Sequence, residues 1–298
     1  MKSNNINTCK SALCLILYLV IVAGAPAGEG RAIFPKALSD GQHPQSANRQ
    51  LISKLATTSF PEKMLVYKRE NPIVTTDYVT NQSTQLLQWS GMVKTQRTVF
   101  VTEGNLGNRP FRLEVDRTTG FITLEDIMFY EPKSKIRDAG AFPDAQEAKT
   151  IATAFLVDHN MLPEDAYLRG LVDNTKGADV ISVGYGRRVR GVEVWGAGSE
   201  IIVDIGRGGR VVYVRKAWPT FKPIGEYNLT APESALQKLK NGEGVLYHGN
   251  KGEIVSIKLV YYASPIVQDY VQPCYYADCL DPDTGKAFYG VIDAIETK

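Results

Sequence analysis

A polar–apolar alternation broken by glycines dominates residues 187–218, RRVRGVEVWGAGSEIIVDIGRGGRVVYVRKAW. Alternation with a period of two is typical of β-strands that bury one face. The glycines fall between the alternating segments, where tight turns require them. The stretch therefore predicts antiparallel strands at residues 189–195, 200–205 and 210–214 of one sheet. The face that carries Ile201, Val203 and Ile205 is uniformly apolar, so another element must cover it.

A predicted helix that precedes this ribbon in the chain supplies that cover. Asp144 and Glu147 have the spacing of a capping box, which marks the start of a helix. Apolar and aromatic residues then follow at helical spacing: Ala148, Ile151, Ala152, Phe155, Leu156 and His159. We expect Phe155 and Leu156 to pack on the apolar face of the ribbon.

The rest of the chain predicts further strands and a second helix. Residues 84–91 and the alternating segment after residue 109 resemble strands, residues 45–56 form a weak helical stretch, and Thr230 with Glu233 resembles another capping box. Helices segregate from hairpins, which predicts an α+β fold of cystatin-like or PepSY-like antiparallel sheets, each packed on a helix and preceded by a β-rich region. The predicted segments are a signal peptide (1–27), a linker (28–61), a β-rich domain (62–135), a helix with an antiparallel sheet (143–226) and a second such module (227–298).

The N-terminus has the pattern of a secretory signal. Lys2 and Lys10 precede the uncharged apolar run of residues 11–23, and Ala25 and Ala27 offer a cleavage site. The run is shorter than the roughly 20 residues of a membrane span, so cleavage after Ala27 and a secreted or extracytoplasmic location are expected. The alternative is an uncleaved membrane anchor.

Charge and cysteine usage narrow the classes of partner. Removal of residues 1–27 leaves 32 basic residues against 32 acidic ones, because only Lys2 and Lys10 are lost from the 34. This balance argues against nucleic acid as a partner. Cys274 and Cys279 then remain, and in an oxidising compartment they are expected to form a disulfide. That bond requires a turn within residues 275–278, since a straight strand would hold the two thiols apart.

Residues for catalysis or metal binding are scarce. The three histidines, His43, His159 and His248, form no zinc-binding pair, and His159, on the apolar face of its helix, is expected to be packed and hydrogen-bonded. No nucleophile elbow, phosphate loop or dinucleotide fingerprint occurs, and DPDTG from Asp281 predicts a hairpin turn rather than a calcium loop. The sequence therefore predicts no metal, no cofactor and no catalytic group.

The glycine-spaced ribbon resembles the thermolysin/fungalysin propeptide family. The matching positions are Gly191, Val192, Val194, Gly196, Val203, Gly209, Val211 and Val212. Residues 231–295, with YVQPCYYADC and FYGVIDAI, resemble the related PepSY module, and together the resemblance covers about half of the chain. It implies a cystatin-like sheet around a helix. In metallopeptidase precursors such modules assist folding and inhibit the protease, whereas in this protein we expect no peptidase domain after them.

These observations favour a secreted, non-catalytic binding module whose partner is another protein. One form of this hypothesis is a peptidase inhibitor or folding modulator that acts in trans, through a sheet edge or a glycine-rich turn. The alternatives are a membrane-anchored extracytoplasmic regulatory or sensor subunit and, least favoured, an enzyme without a known motif. The candidate contact loops and aromatic anchors are Trp195, Gly196, Ala197, Gly198, Gly206, Gly208, Gly209 and Trp218.

Overall fold

The structure, a computed structural model, describes residues 50–53, 59–87, 91–130, 140–247, 251–265 and 268–296. Most of these residues lie in strands. The strands are β1 (Gln50–Ser53), β2 (Lys63–Glu70), β3 (Lys94–Gln96), β4 (Val99–Leu106), β5 (Arg109–Asp116), β6 (Ile122–Asp126), β7 (Ala166–Asn174), β8 (Val180–Val189), β9 (Val192–Trp195), β10 (Glu200–Ile205), β11 (Val211–Ala217), β12 (Thr220–Asn228), β13 (Val245–Tyr247), β14 (Lys251–Tyr262), β15 (Tyr270–Leu280) and β16 (Ala287–Asp293). The helices are α1 (Thr76–Leu87), α2 (Ile127–Tyr130), α3 (Ala145–Asp158) and α4 (Pro232–Lys240).

All sixteen strands are linked by hydrogen-bonded pairs into one mixed sheet. Its main path runs β12-β2-β15-β14-β9-β8-β10-β11-β6-β5-β4-β3, while β1, β13, β16 and β7 pair off this path. The predicted α+β class of separate sheets, each packed on a helix, is therefore wrong, and the chain is mostly β. The physical reason is long-range pairing: β6 pairs with β11, and β2 pairs with both β12 and β15. The predicted domain boundaries remain a prediction.

The ribbon lies in the middle of this sheet. β10 and β11 form the expected antiparallel hairpin, with Val203 opposite Val214 and a 3-10 turn at Arg207–Gly209. Residues 189–195 are not one strand, because the chain turns at Arg190 and Gly191, both with positive φ, between β8 and β9. β8 then separates β9 from β10, so these strands share a sheet without being direct neighbours.

Helix α3 begins and packs as the sequence predicts. The Asp144 carboxylate accepts hydrogen bonds from the backbone of Gln146 and Glu147, and the Glu147 side chain closes the capping box. Ala148, Ala152 and Leu156 are buried against β8, β10 and β11, where Ile201, Val203 and Ile205 are fully buried. Phe155 is only partly buried and stacks on His159 at 4.2 Å between ring centroids.

Three local predictions are wrong. Residues 84–87, predicted as strand, end helix α1, where Val79, Leu86 and Leu87 are buried at helical spacing. Residues 50–53, predicted as part of a helix, form β1, which pairs in parallel with β14. Helix α4 has Ala231 as its N-cap and no side-chain cap, because Pro232 opens the helix and displaces the start from Thr230.

The predicted disulfide is also contradicted. Cys274 and Cys279 are free thiols on the uninterrupted strand β15. Five residues of separation put them on opposite faces, so one packs with Tyr276 and Val291 and the other under α4. Burial raises the pKa of Cys274 and raises the pKa of Cys279 to about 12.

Several predictions lie outside the described residues: the signal at 1–27, its cleavage site, and His43 and His248. Within the described ranges no helix is long and apolar enough to span a membrane. In the same ranges no group of three or more His, Cys, Asp or Glu residues could hold a metal ion. Asp281 accepts hydrogen bonds from the backbone of Asp283 and Thr284, and so forms the predicted turn.

Candidate functional site

The structure distributes the predicted contact residues over three places. Trp195 ends β9 and leads into Gly196, Ala197 and Gly198, which pack on the end of β14. Gly196 has φ 98°, and a Cβ at either glycine would collide with the backbone of Ala263 or Ser264. These glycines permit two backbones to approach closely, so they do not form an exposed contact loop.

The indole of Trp195 belongs to a packed aromatic cluster. Its ring centroid lies 4.1 Å from that of Tyr276 and 6.2 Å from that of Tyr289. The indole N–H donates to the Glu193 carboxylate at 3.3 Å, and the Arg169 guanidinium lies over the ring. These contacts account for Trp195 as a structural residue.

The glycine turn after β10 packs against α3 and the residues that precede it. Gly208 has φ 68° and donates its N–H to the Ala141 carbonyl at 2.8 Å, and Gly209 has φ 72° with Ile151 close by. Gly206 has extended backbone and precedes the turn. Together with the start of α3, Gly208 and Gly209 line a groove of about 570 Å³. The positive φ angles and the contact with α3 explain the glycines through folding.

Trp218, the last predicted anchor, lies in a deeper cleft of about 370 Å³. Its indole N–H donates to Asp165 at 3.0 Å, and the Arg187 guanidinium lies 5.3 Å from a ring centroid of its indole. Residues from α1, the ends of β2 and β12, the β5–β6 turn and the segment after α3 supply the other walls. They include Glu70, Pro72, Tyr78, Gln82, Asn160, Met161 and Thr220. We call this space the Lys216 cleft, after the residue on β11 that also lines it.

Lys216 stands on the face of β11 that forms the hydrophobic core. It follows Val214 at the next alternating position, and its cross-strand neighbours Ile201 and Ile122 are buried. Burial lowers the pKa of Lys216 below its ordinary value, because the ammonium loses hydrating water. The side chain thus begins in the core and carries a cation to the cleft.

No described residue makes an ion pair or hydrogen bond with the Lys216 ammonium. Glu70 lines the same cleft, but its ion pair is with Lys222 at 3.7 Å. Tyr78 is half-buried, and burial raises its pKa, so its phenol stays protonated and can donate a hydrogen bond. The described walls of the cleft therefore combine one partly desolvated cation with neutral hydroxyl and amide groups and with the Glu70 carboxylate, which is paired with Lys222.

Sequence reasoning missed Lys216, although its signal is visible in VVYVRKAW. The period of two that places Val214 on the core face also places Lys216 there, where an apolar residue is the norm. A charged residue that departs from the local pattern marks a position that is expected to be functional or strained. Of the residues singled out in the sequence, Trp218 lies in the same cleft, whereas the predicted glycines and Trp195 lie elsewhere.

A second charged group on the same face is paired with a carboxylate. Arg109 alternates with the buried Phe111, and its Nε lies 2.6 Å from Oδ2 of Asp126, whose side chain is 0% exposed. Asp126 Oδ1 also accepts the backbone N–H groups of Met128 and Phe129 at the start of α2. Asp126 is therefore a core group.

Comparison with known proteins finds no matching family model and no matching curated protein. Among solved structures, the chain is similar to an uncharacterized protein from Eubacterium rectale, with 13% identity, a TM-score of 0.40, and coverage of 85% of this chain and 91% of the other. It is also similar to the Bacillus megaterium YpeB C-terminal domain, with 14% identity, a TM-score of 0.34, and coverage of 75% and 99%. At this overlap the similarity carries no argument about function. The resemblance to propeptide and PepSY modules remains a prediction from the sequence.

Proposed function

We propose that this protein is a non-catalytic binding module that holds a protein partner at the Lys216 cleft. The observation that carries the proposal is a partly desolvated lysine with no partner among the described residues, at a cleft of about 370 Å³. A pocket of this size with a few converging polar groups is typical of ligand sites.

The chemistry of the cleft supports binding rather than catalysis. A nucleophile needs a base within hydrogen-bond reach, and a general acid–base pair needs two such groups held together. The described walls of the cleft contribute amides, hydroxyls and the carboxylate of Glu70, which is paired with Lys222. His159 lies at the end of α3 with its Nδ1 2.8 Å from the Phe155 carbonyl, and so serves the helix.

The finer parts of the proposal rest on the sequence alone. The N-terminal pattern supports a secreted protein, and the propeptide-like ribbon supports a peptidase as partner, inhibited or assisted in folding by this separate chain. The alternative is an extracytoplasmic regulator anchored by residues 11–25. Intact-mass measurement of the extracellular protein distinguishes the two, since retention of Met1 or Lys2 would contradict cleavage after Ala27.

Site-specific photo-crosslinking tests the binding site. A benzoylphenylalanine at Gln82, on the wall formed by α1, should yield an adduct with a partner from the producing cells. The matched control places the same group at Asn81, which is exposed on α1 but does not line the cleft. We expect the adduct at position 82 to be lost when Lys216 is replaced by Met. Equal adducts at both positions, or none at position 82, would contradict the proposal.

A further inference from the structure

We infer that the ligand group at the Lys216 cleft is a carboxylate carried by a peptide. This inference rests on the proposed function and names the chemistry that the cleft recognises. Lys216 would receive the carboxylate, and the surrounding amides and hydroxyls would bind the remaining polar groups of the peptide.

The position of Lys216 provides the first argument. Its cross-strand neighbours Ile201 and Ile122 are core residues, and Val214 precedes it on the same face. A cation placed there loses hydration and gains no compensating ion pair from the described residues. An anionic ligand would supply the missing ion pair. The hydrogen bond between the ammonium and the anion would form in a partly dry environment, where charge-assisted hydrogen bonds are strong.

The neutral groups of the cleft provide the second argument. Tyr78, Gln82, Asn160 and Thr220 line it, and their side chains have no hydrogen bond to any described residue. Tyr78 and Thr220 offer hydroxyls to carboxylate oxygens, and the two amides can both donate and accept. A peptide backbone presents that mixture of donors and acceptors, whereas an inorganic anion presents acceptors alone.

Charge selects the class of anion. Among the residues that the structure describes, the cleft has one ammonium, and Glu70 with Lys222 adds no net charge at its edge. A single lysine matches a monoanion such as a carboxylate, while phosphate groups are commonly held by arginine forks or by several backbone N–H groups. Arg187, which lies over Trp218, is already bonded to Asp165 and to the Pro219 carbonyl.

The walls favour a peptide over a free acid. Pro72, Met161 and Trp218 give apolar contacts beside the polar groups. A glutamate or aspartate residue has aliphatic carbons and flanking backbone that fit such walls. A small free acid would leave much of a 370 Å³ space without contact.

Carbon-13 at the lysine Cε positions of the secreted chain allows a direct test by NMR. The probes are acetyl-Gly-Gly-Glu-Gly-Gly-amide, its glutamine counterpart, acetyl-pentaglycine with a free carboxyl terminus, and glutarate. We expect the glutamate peptide, and not the glutamine peptide, to shift the Lys216 signal, which the Lys216→Met spectrum identifies. The pentaglycine arm distinguishes a chain end from a side chain. Lys216→Met should weaken binding of the glutamate peptide at least about tenfold.

The matched control is Lys94→Met, which removes an exposed ammonium on β3 that does not line the cleft and should leave binding of the glutamate peptide unchanged. Equal binding of the glutamate and glutamine peptides, binding of glutarate alone, or no shift of the Lys216 signal with any probe would overturn the inference. If the Gln82 crosslink persists in that case, the ligand class is wrong while the proposed function stands. If the crosslink is also absent, both the ligand class and the proposed function are wrong.

Discussion

Two cations occupy the core face of the same sheet in opposite circumstances. Arg109 on β5 meets Asp126 on β6 at 2.6 Å, and the side chains are 10% and 0% exposed. Lys216 on β11 continues an equally apolar row and has no anion among the described residues. A buried charge that is paired belongs to the architecture, whereas one without a partner must be explained by something outside the fold.

The largest expected effect comes from removing Asp126, the carboxylate that pairs with Arg109. Asp126→Ala should lower the free energy of unfolding by about 3–5 kcal/mol, because it leaves Arg109 without its carboxylate and α2 without its cap. Urea denaturation measures the loss. The control is Glu125→Ala on the opposite face, where a longer 3.3 Å pair with Arg112 predicts a loss below about 1 kcal/mol. Equal losses would show that Asp126 is not a core group.

Apolar residues of α3, which packs on the same face of the sheet, show how much stability an uncharged core side chain contributes. Leu156→Ala should cost about 2–5 kcal/mol, since the side chain is fully buried between α3 and the sheet. Phe155→Ala should cost less despite its larger ring, because that ring is only partly buried and packs on His159. The same denaturation experiment ranks the pair. A larger loss at Phe155 would reverse the assignment of the core face of α3.

Local patterns in the sequence predicted local structure well. The capping box at Asp144 and the alternation of Ile201, Val203 and Ile205 determine α3 and the face that it covers, and both are confirmed. Both signals act within a few residues, where propensity and periodicity decide the outcome. Strand pairing is different, because nothing in β2 indicates that its partners are β12 and β15. The predicted separate sheets failed for that reason.

The candidate site shows the same division. The glycines and Trp195, which stand out in the sequence, are explained by turns and packing, as the collision at Gly196 and the stacking of Trp195 show, whereas Trp218 does line the cleft. Lys216 is inconspicuous as a residue type, and only its phase in the alternation marks it. The cleft itself depends on α1, which was predicted as strand near residues 84–87, so its walls could not be assembled from sequence.

Removal of the unpaired cation, Lys216, should change the free energy of unfolding in the opposite direction from removal of the paired cation, Arg109. Lys216→Met should raise the free energy of unfolding by about 0.5–2 kcal/mol, because an apolar side chain replaces a partly desolvated cation on the core face. Arg109→Met should lower it, since Asp126 would then be left buried without its arginine. Lys222→Met, at an exposed ammonium, should stay within about 0.5 kcal/mol of the parent protein. A loss of stability in Lys216→Met would show that Lys216 is structural.

The smallest expected effect is that the stability gained by Lys216→Met depends on pH. The pKa of Lys216 is lowered from 10.5 by burial, so near and above the lowered value the unfolded chain binds more protons than the folded one. The parent protein therefore recovers stability as the pH rises through the lowered pKa towards 10.5, and Lys216→Met does not. Glu70 is present in both proteins, and burial raises the pKa of Tyr78, so neither should alter the difference between pH 7 and 10. We expect the stability gap between the two proteins to narrow over that range in urea denaturation, while the gap between the parent protein and Lys222→Met stays constant. A gap that widens with pH would mean that the fold favours the ammonium of Lys216, and the contrast with Arg109 would be lost.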